Sequence, residues 1–167
     1  MRIILIGFMG SGKTTVSTLL ADQLHLPVTD LDRAIEQSSG KSIPQIFQES
    51  GEEGFRTVEH QTLTMVLQRR DGILATGGGT PLRADNRRAL TADPAPVILL
   101  HASPEETARR IQHDGERPLA DTLDTAGLAA LLAKRQARYD ECADFTIDTD
   151  GRTPQEIVDQ IIGLIED

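Results

Sequence analysis

Eight residues near the amino terminus restrict the fold more than any others: Gly7-Phe8-Met9-Gly10-Ser11-Gly12-Lys13-Thr14. They lie between the apolar run Ile3–Ile6 and a helical pattern of Val16, Leu19, Leu20 and Leu24. The order is strand, glycine-rich turn, helix, with the full G-x-x-x-x-G-K-[ST] spacing. Glycines let the backbone curl until its N–H groups converge on an anion, and the helix N-terminus adds a favourable dipole. Lys13 is then set to reach the β- and γ-phosphates of a nucleoside triphosphate, and the Thr14 hydroxyl to ligate Mg²⁺. Gly10, Ser11, Gly12, Lys13, Thr14 and Thr15 are the expected phosphate-side contacts.

The chain has 167 residues, the length of one domain able to bury a real core. We expect a single domain over 1–167. Its net charge of −9 disfavours nucleic acid or an anionic membrane as a partner. The same charge repels acidic metabolites at long range, so an anion site must be assembled from local arginines and backbone N–H groups. Cys142 is the single cysteine, which excludes an intrachain disulfide; it reads as an inert, half-buried thiol. Four histidines (His25, His60, His101, His113) show no zinc-ligand spacing. The apolar run after Arg2 is too short for a signal peptide, and no later run approaches the roughly 20 residues of a membrane span. A cytoplasmic protein is expected.

Short apolar runs alternate with amphipathic patterns, the arrangement of a parallel sheet with helices on its faces. Candidate strands are Ile3–Ile6, Val28–Thr29, Ile73–Ala75, Val97–Leu100 and Phe145–Ile147. Capping boxes are read at Ser42–Gln45, Ser50–Glu53, Ser103–Glu106 and Thr153–Glu156. The last helix gathers Ile157, Val158, Ile161, Ile162 and Ile165 on one face and should dock on the sheet. Residues 30–70 read as a helical insertion, and the polar stretch 113–123 as a second departure from plain alternation. Both look like substrate-handling pieces on a rigid frame.

Asp30 and Asp32 flank Leu31 at the end of a short strand. Extended backbone would aim both carboxylates the same way. Asp30 would then join a Mg²⁺ shell through water, and Asp32 would face an acceptor hydroxyl as base or orienting group. The competing reading makes one of them a helix N-cap. Thr76-Gly77-Gly78-Gly79-Thr80-Pro81 follows the third strand, either as a surface against which a substrate lies or as a flexible turn. Arg56, read as lying opposite the apolar face of Phe55, Val58 and Thr62, and Arg135 could clamp a carboxylate with two parallel hydrogen bonds. Arg117 could close over a transferring phosphoryl group. For each arginine taken alone, a solvated surface charge is the better reading.

In combination these segments resemble shikimate kinase over nearly the whole chain. The resemblance rests on residues 7–15, Asp30-Leu31-Asp32, residues 41–56, Gly77–Gly79, Arg117-Pro118-Leu119 and Lys134-Arg135 with Tyr139. It implies an α/β three-layer P-loop kinase fold: a five-stranded parallel sheet in the order 2-3-1-4-5, a substrate-binding helical insertion and a lid over about 113–123. It further implies ATP and Mg²⁺ as cofactors and transfer of the γ-phosphoryl to the 3-hydroxyl of shikimate; separately, a monomer is expected. Asp32, Arg56, Gly78, Gly79 and Arg135 then match acceptor contacts, with Gly79 ranked first. Lys13, Asp32 and Arg117 match the catalytic groups, and Thr14 and Asp30 the metal surroundings. Arg110 and Pro154 match a pair that sandwiches adenine. Ala120 stands where a second leucine is common, and Thr14 where many members carry serine; neither removes a required group. A gluconate or nucleoside monophosphate kinase of the same architecture is the alternative enzyme, and a degenerate nucleotide-binding homologue the non-enzymatic one.

Overall fold

Alternation within the strands divides the apolar residues between two faces of one sheet. The computed structural model describes residues 2–112 and 124–167. Strands β1 (Arg2–Ile6), β2 (Val28–Asp30), β3 (Gly72–Ala75), β4 (Val97–His101) and β5 (Phe145–Asp148) pair in parallel in the order β2-β3-β1-β4-β5. This is the expected order. Ile3, Leu5, Ile73, Ile98, Leu100 and Ile147 face α1 (Lys13–Leu24) and α7 (Pro154–Glu166). Ile4, Ile6, Leu74, Val97 and Leu99 face the other way. There they meet α2 (Leu31–Ser39), α3 (Ile43–Leu67), α4 (Ala84–Ala92), α5 (Pro104–Gln112) and α6 (Thr125–Cys142). Each such Leu or Ile, at 0–2% exposure, contributes roughly 1.5–3 kcal/mol of burial. Ile157, Val158 and Ile161 of α7 are buried as expected, while Ile162 and Ile165 are partly buried at the margin.

The helix starts agree in part with the sequence reading. Ser42 and Thr153 form full capping boxes, the latter with Thr153 N–H donating to Glu156 Oε2 at 2.7 Å. Ser103 forms half of one. Its hydroxyl accepts from Glu106 N–H, but its own N–H donates to Asp150, and the Glu106 carboxylate is taken by Arg109 and Arg110. At Ser50 no box forms; α3 instead breaks at Gly51, with φ 68° and ψ −173°, and resumes. The break drives Ser50 against the backbone of Gly54, where an added Cβ would overlap Ser50 Cβ.

The stretch between β2 and β3 is helical, α2 followed by α3. Cys142 is 3% exposed, more deeply buried than the sequence reading had it, and burial pushes its thiol up to about 11. Among the described residues no helix is long and apolar enough to cross a membrane.

Gly54→Ala should cost about 1–3 kcal/mol in urea unfolding, because the methyl group must displace Ser50. The double variant Ser50→Gly/Gly54→Ala should recover much of that loss. Unchanged stability of the single variant would contradict this packing.

Candidate active site

All the groups singled out in the described residues lie at the carboxyl ends of the strands, where open α/β sheets bind ligands. The loop after β1 curls through positive φ at Gly7, Gly10 and Gly12. A Cβ at Gly7 would sit 2.5 Å from Leu100 O, and Gly12 in the left-handed region caps α1. Lys13 Nζ donates to Gly7 O at 2.5 Å and to Phe8 O at 3.1 Å, which ties the ammonium across the loop. Ser11 is buried, whereas Thr14 and Thr15 are exposed in the first turn of α1. A curled loop with a buried anchor, a lysine across its mouth and exposed hydroxyls at a helix N-terminus fits a polyphosphate. Thr14 and Asp30 suit a Mg²⁺ that keeps its waters and shares phosphate ligands.

The carboxylate pair departs from the expected geometry. β2 ends at Asp30, and Asp30 is the N-cap of α2, its Oδ1 accepting from Arg33 N–H at 3.2 Å. Asp32 therefore lies in the first helical turn, not in extended backbone. The two readings of Asp30 do not exclude each other, since capping uses one carboxylate oxygen. Asp32 turns inward: a Cβ at Gly77 would lie 2.9 Å from its Oδ1. Burial, with repulsion from Asp30 and Glu59, raises its pKa from 3.8 to about 6, while Lys13 and Arg56 pull it down. Both cations are thus close neighbours of this carboxylate.

The three glycines are needed for space. Among the described residues, none of them takes a positive φ. A Cβ at Gly79 would collide with the Arg56 guanidinium, 2.9 Å from its Cζ, and one at Gly78 would lie 3.3 Å from Met9 N. Arg56 does not point away from Phe55 as read from the pattern. It folds back, 5.2 Å above the Phe55 ring, because buried Glu59 one turn on accepts from its Nη1 at 2.9 Å. Glu59 also accepts from Thr80 Oγ1 at 3.1 Å and Asn86 Nδ2 at 3.3 Å, so its charge is fully engaged. Arg135 reaches the same turn from α6, its guanidinium 5.5 Å over the Phe8 ring, with a buried Nε that has no hydrogen-bond partner. A buried guanidinium N–H without an acceptor favours an incoming carboxylate.

Arg110 sits on the other side of the phosphate loop. Its Nη1 donates to Gly10 O at 3.0 Å and its Nη2 to Thr149 O at 3.2 Å, in the loop leading to Pro154, which is exposed as the first residue of α7. Hydrogen bonds from Arg109, then Arg110, hold Glu106 down at about 2. Arg117 and the expected lid lie outside the described residues. Sequence reasoning missed Glu59, Thr80 and Asn86, and assigned Tyr139 no role. The one local signal was the Arg56–Glu59 spacing, common on any helix surface.

The chain is similar to known proteins over nearly its whole length. The family model for shikimate kinase matches residues 9–166. The chain is 54% identical to a shikimate kinase of Limosilactobacillus fermentum, across 99% of this chain and 95% of that protein. It is 42% identical to one from Enterococcus faecalis, across 99% and 98%. Among solved structures it resembles the shikimate kinase of Acinetobacter baumannii in complex with shikimate. There the TM-score is 0.90 at 37% identity, covering 98% of this chain and 92% of that one.

The raised pKa of Asp32 has a stability consequence. The folded protein holds this proton more tightly than the unfolded chain, so stability is highest below 3.8 and is lost as pH rises through about 6. Asparagine, already neutral, escapes that loss. Asp32→Asn should therefore be more stable than wild type by roughly 2–3 kcal/mol at about pH 7.5, the advantage shrinking toward about pH 4.5. Denaturation at both pH values checks this; a variant no more stable than wild type at the higher pH would refute it.

Proposed function

Because the chain belongs to the shikimate kinase family, we propose that it transfers the γ-phosphoryl of ATP to the 3-hydroxyl of shikimate, giving shikimate 3-phosphate and ADP. The observation that carries this reading is the meeting of Arg56 and Arg135 at one glycine turn, beside Asp32 and the phosphate loop. Two guanidinium groups recognise an acid, and a carboxylate between them and Lys13 recognises a hydroxyl. A gluconate kinase would also need arginines, but the family match does not favour it.

In this reading Arg56 and Arg135 bind the acceptor carboxylate and fix the ring, helped by the backbone of Gly78 and Gly79. Asp32 holds the 3-hydroxyl and takes its proton. A carboxylate near 6 is ionised at neutral pH yet basic enough to accept that proton as transfer proceeds. Lys13 and the N–H groups of residues 10–15 bind the polyphosphate and stabilise the charge moving onto it. Thr14, and Asp30 through water, would hold Mg²⁺, which would supply neutralisation of phosphate charge. Arg110 and Pro154 bound the adenine, and Arg117 adds positive charge at the transferring group. Residues 30–70 serve the acceptor and 113–123 act as the lid of a single domain. The protein is read as a cytoplasmic monomer with no nucleic-acid or membrane partner, in keeping with a net charge of −9.

Purified protein with Mg²⁺ and ATP should release ADP in the presence of shikimate, and far less with gluconate or nucleoside monophosphates. Lys13→Ala should abolish turnover. Asp32→Asn should lower kcat by at least about a hundredfold while leaving the KM for ATP nearly unchanged. The wild-type kcat/KM profile should fall on the acid side of about pH 6. Equal turnover of an acceptor without a carboxylate would refute the arginine clamp.

A further inference from the structure

Behind Arg56 lies a buried polar cluster to which the transfer reaction assigns no part. Asn86, 0% exposed on α4, donates from Nδ2 to Glu59 Oε1 at 3.3 Å and to Thr80 O at 3.0 Å. Its Oδ1 stands 2.7 Å from Nδ1 of His60, the residue after Glu59 on α3. His60 lies at the rim of the cluster, its side chain 27% exposed and its Nε2 3.7 Å from Asp85 Oδ2.

The hydrogen-bonding roles in this cluster are forced. A carbonyl, and a carboxylate paired with arginine, only accept, so the Asn86 amide must turn its NH₂ to Thr80 O and Glu59. Both amide hydrogens are thereby used, and Oδ1 is left facing His60. That oxygen only accepts, so His60 carries a proton on Nδ1. Reversing the amide would set its oxygen against two acceptors and leave buried groups unpaired, which the imidazole N–H helps to prevent.

Glu59 in turn has little freedom. Its Oε2 accepts from Thr80 Oγ1 at 3.1 Å, and its Oε1 is shared between Asn86 Nδ2 and Arg56 Nη1. A carboxylate free to move beside a guanidinium tends to take two parallel N–H bonds. Here each oxygen already holds another donor, so Arg56 is bound through Nη1 at 2.9 Å while Nη2 is turned toward Gly79.

We propose that Asn86 is a positioning residue for the acceptor arginine. With its amide locked by His60, it holds Glu59 to a one-nitrogen grip on Arg56 and keeps the Nη2 edge free for the acceptor's carboxylate. This rests on the acceptor reading given above.

Asn86→Leu stays close to the original volume and removes both amide hydrogens. We expect the KM for shikimate to rise about tenfold, with the KM for ATP unchanged. For an acceptor analogue whose carboxylate is replaced by a hydroxymethyl group, wild type and variant should have equal affinity, a split that general loosening of the fold would not produce. His60→Leu, at the exposed end of the cluster, tests the same chain of bonds without opening the core and should raise the KM for shikimate about threefold. His60→Asn, whose Nδ2–H can reach the same oxygen, should return it to the wild-type value. In the ligand-free wild type at about pH 8.5, where imidazole is neutral, the ¹⁵N resonances of His60 should place its proton on Nδ1. An Nε2–H tautomer, an unchanged KM for shikimate in both leucine variants, or an equal loss toward ATP or the analogue would each overturn the proposal. The tautomer needs no acceptor, so it separates failure of this inference from failure of the functional reading.

Discussion

Three consecutive residues without side chains allow the site to exist. The volume that Cβ atoms would take at Gly77, Gly78 and Gly79 is used by the Asp32 carboxylate, the edge of the phosphate loop and the Arg56 guanidinium. Those groups come from α2, the loop after β1 and α3, so the glycine turn is where separate segments can converge to reacting distances. A Cβ at Gly77 or Gly79 would overlap the Asp32 carboxylate or the Arg56 guanidinium, and one at Gly78 would crowd Met9 N at 3.3 Å. Such close approach could not be read as flexibility, because the turn's own carbonyls are all engaged.

The electrostatics of the site follow from this crowding. A chain of net charge −9 repels anions at long range, so the arginines gathered at the site must supply the attraction locally. Partly burying Arg56 calls for a counter-charge, and Glu59, itself 1% exposed, supplies it. A pair of this kind contributes little net stability but fixes geometry, since removing either partner strands the other in a low dielectric. Glu59 then raises the pKa of Asp32, together with Asp30 and desolvation. The carboxylate is held in an uncomfortable ionised state at neutral pH, a stability cost that a proton-accepting role would explain.

What the sequence revealed was local. Eight contiguous residues define the phosphate loop because its function depends on backbone shape, which glycines announce. Strand order came from the family resemblance; short apolar runs identified strands but say nothing of neighbours. The Asp30–Asp32 geometry was misread because spacing along a strand was assumed to continue past the point where Asp30 begins a helix. Arg56 was turned the wrong way for a related reason: helical periodicity puts it on an outer face, and only the tertiary partner Glu59 draws it in. Asn86 and Thr80 were invisible, each being an ordinary polar residue until the fold buries it beside Glu59.

The sheet order itself arranges the chemistry. From β1 the chain crosses to β2 at one edge, returns through β3 beside β1, and then passes to β4 and β5 on the other side, so the phosphate loop emerges from the central strand with both halves of the sheet beside it. On one flank, the turn after β3 and the helix after β2 carry Gly77–Gly79 and Asp32, the proposed acceptor groups. On the other, α5 after β4 and the loop after β5 carry Arg110 and Thr149, joined to the loop through Gly10 O. Acceptor, phosphates and base would then lie along the sheet edge in the order of the strands beneath them. In-line transfer needs that linear arrangement, with the hydroxyl on one side of the γ-phosphoryl group and the leaving diphosphate on the other. A parallel sheet with the phosphate loop on its central strand provides it without any further device.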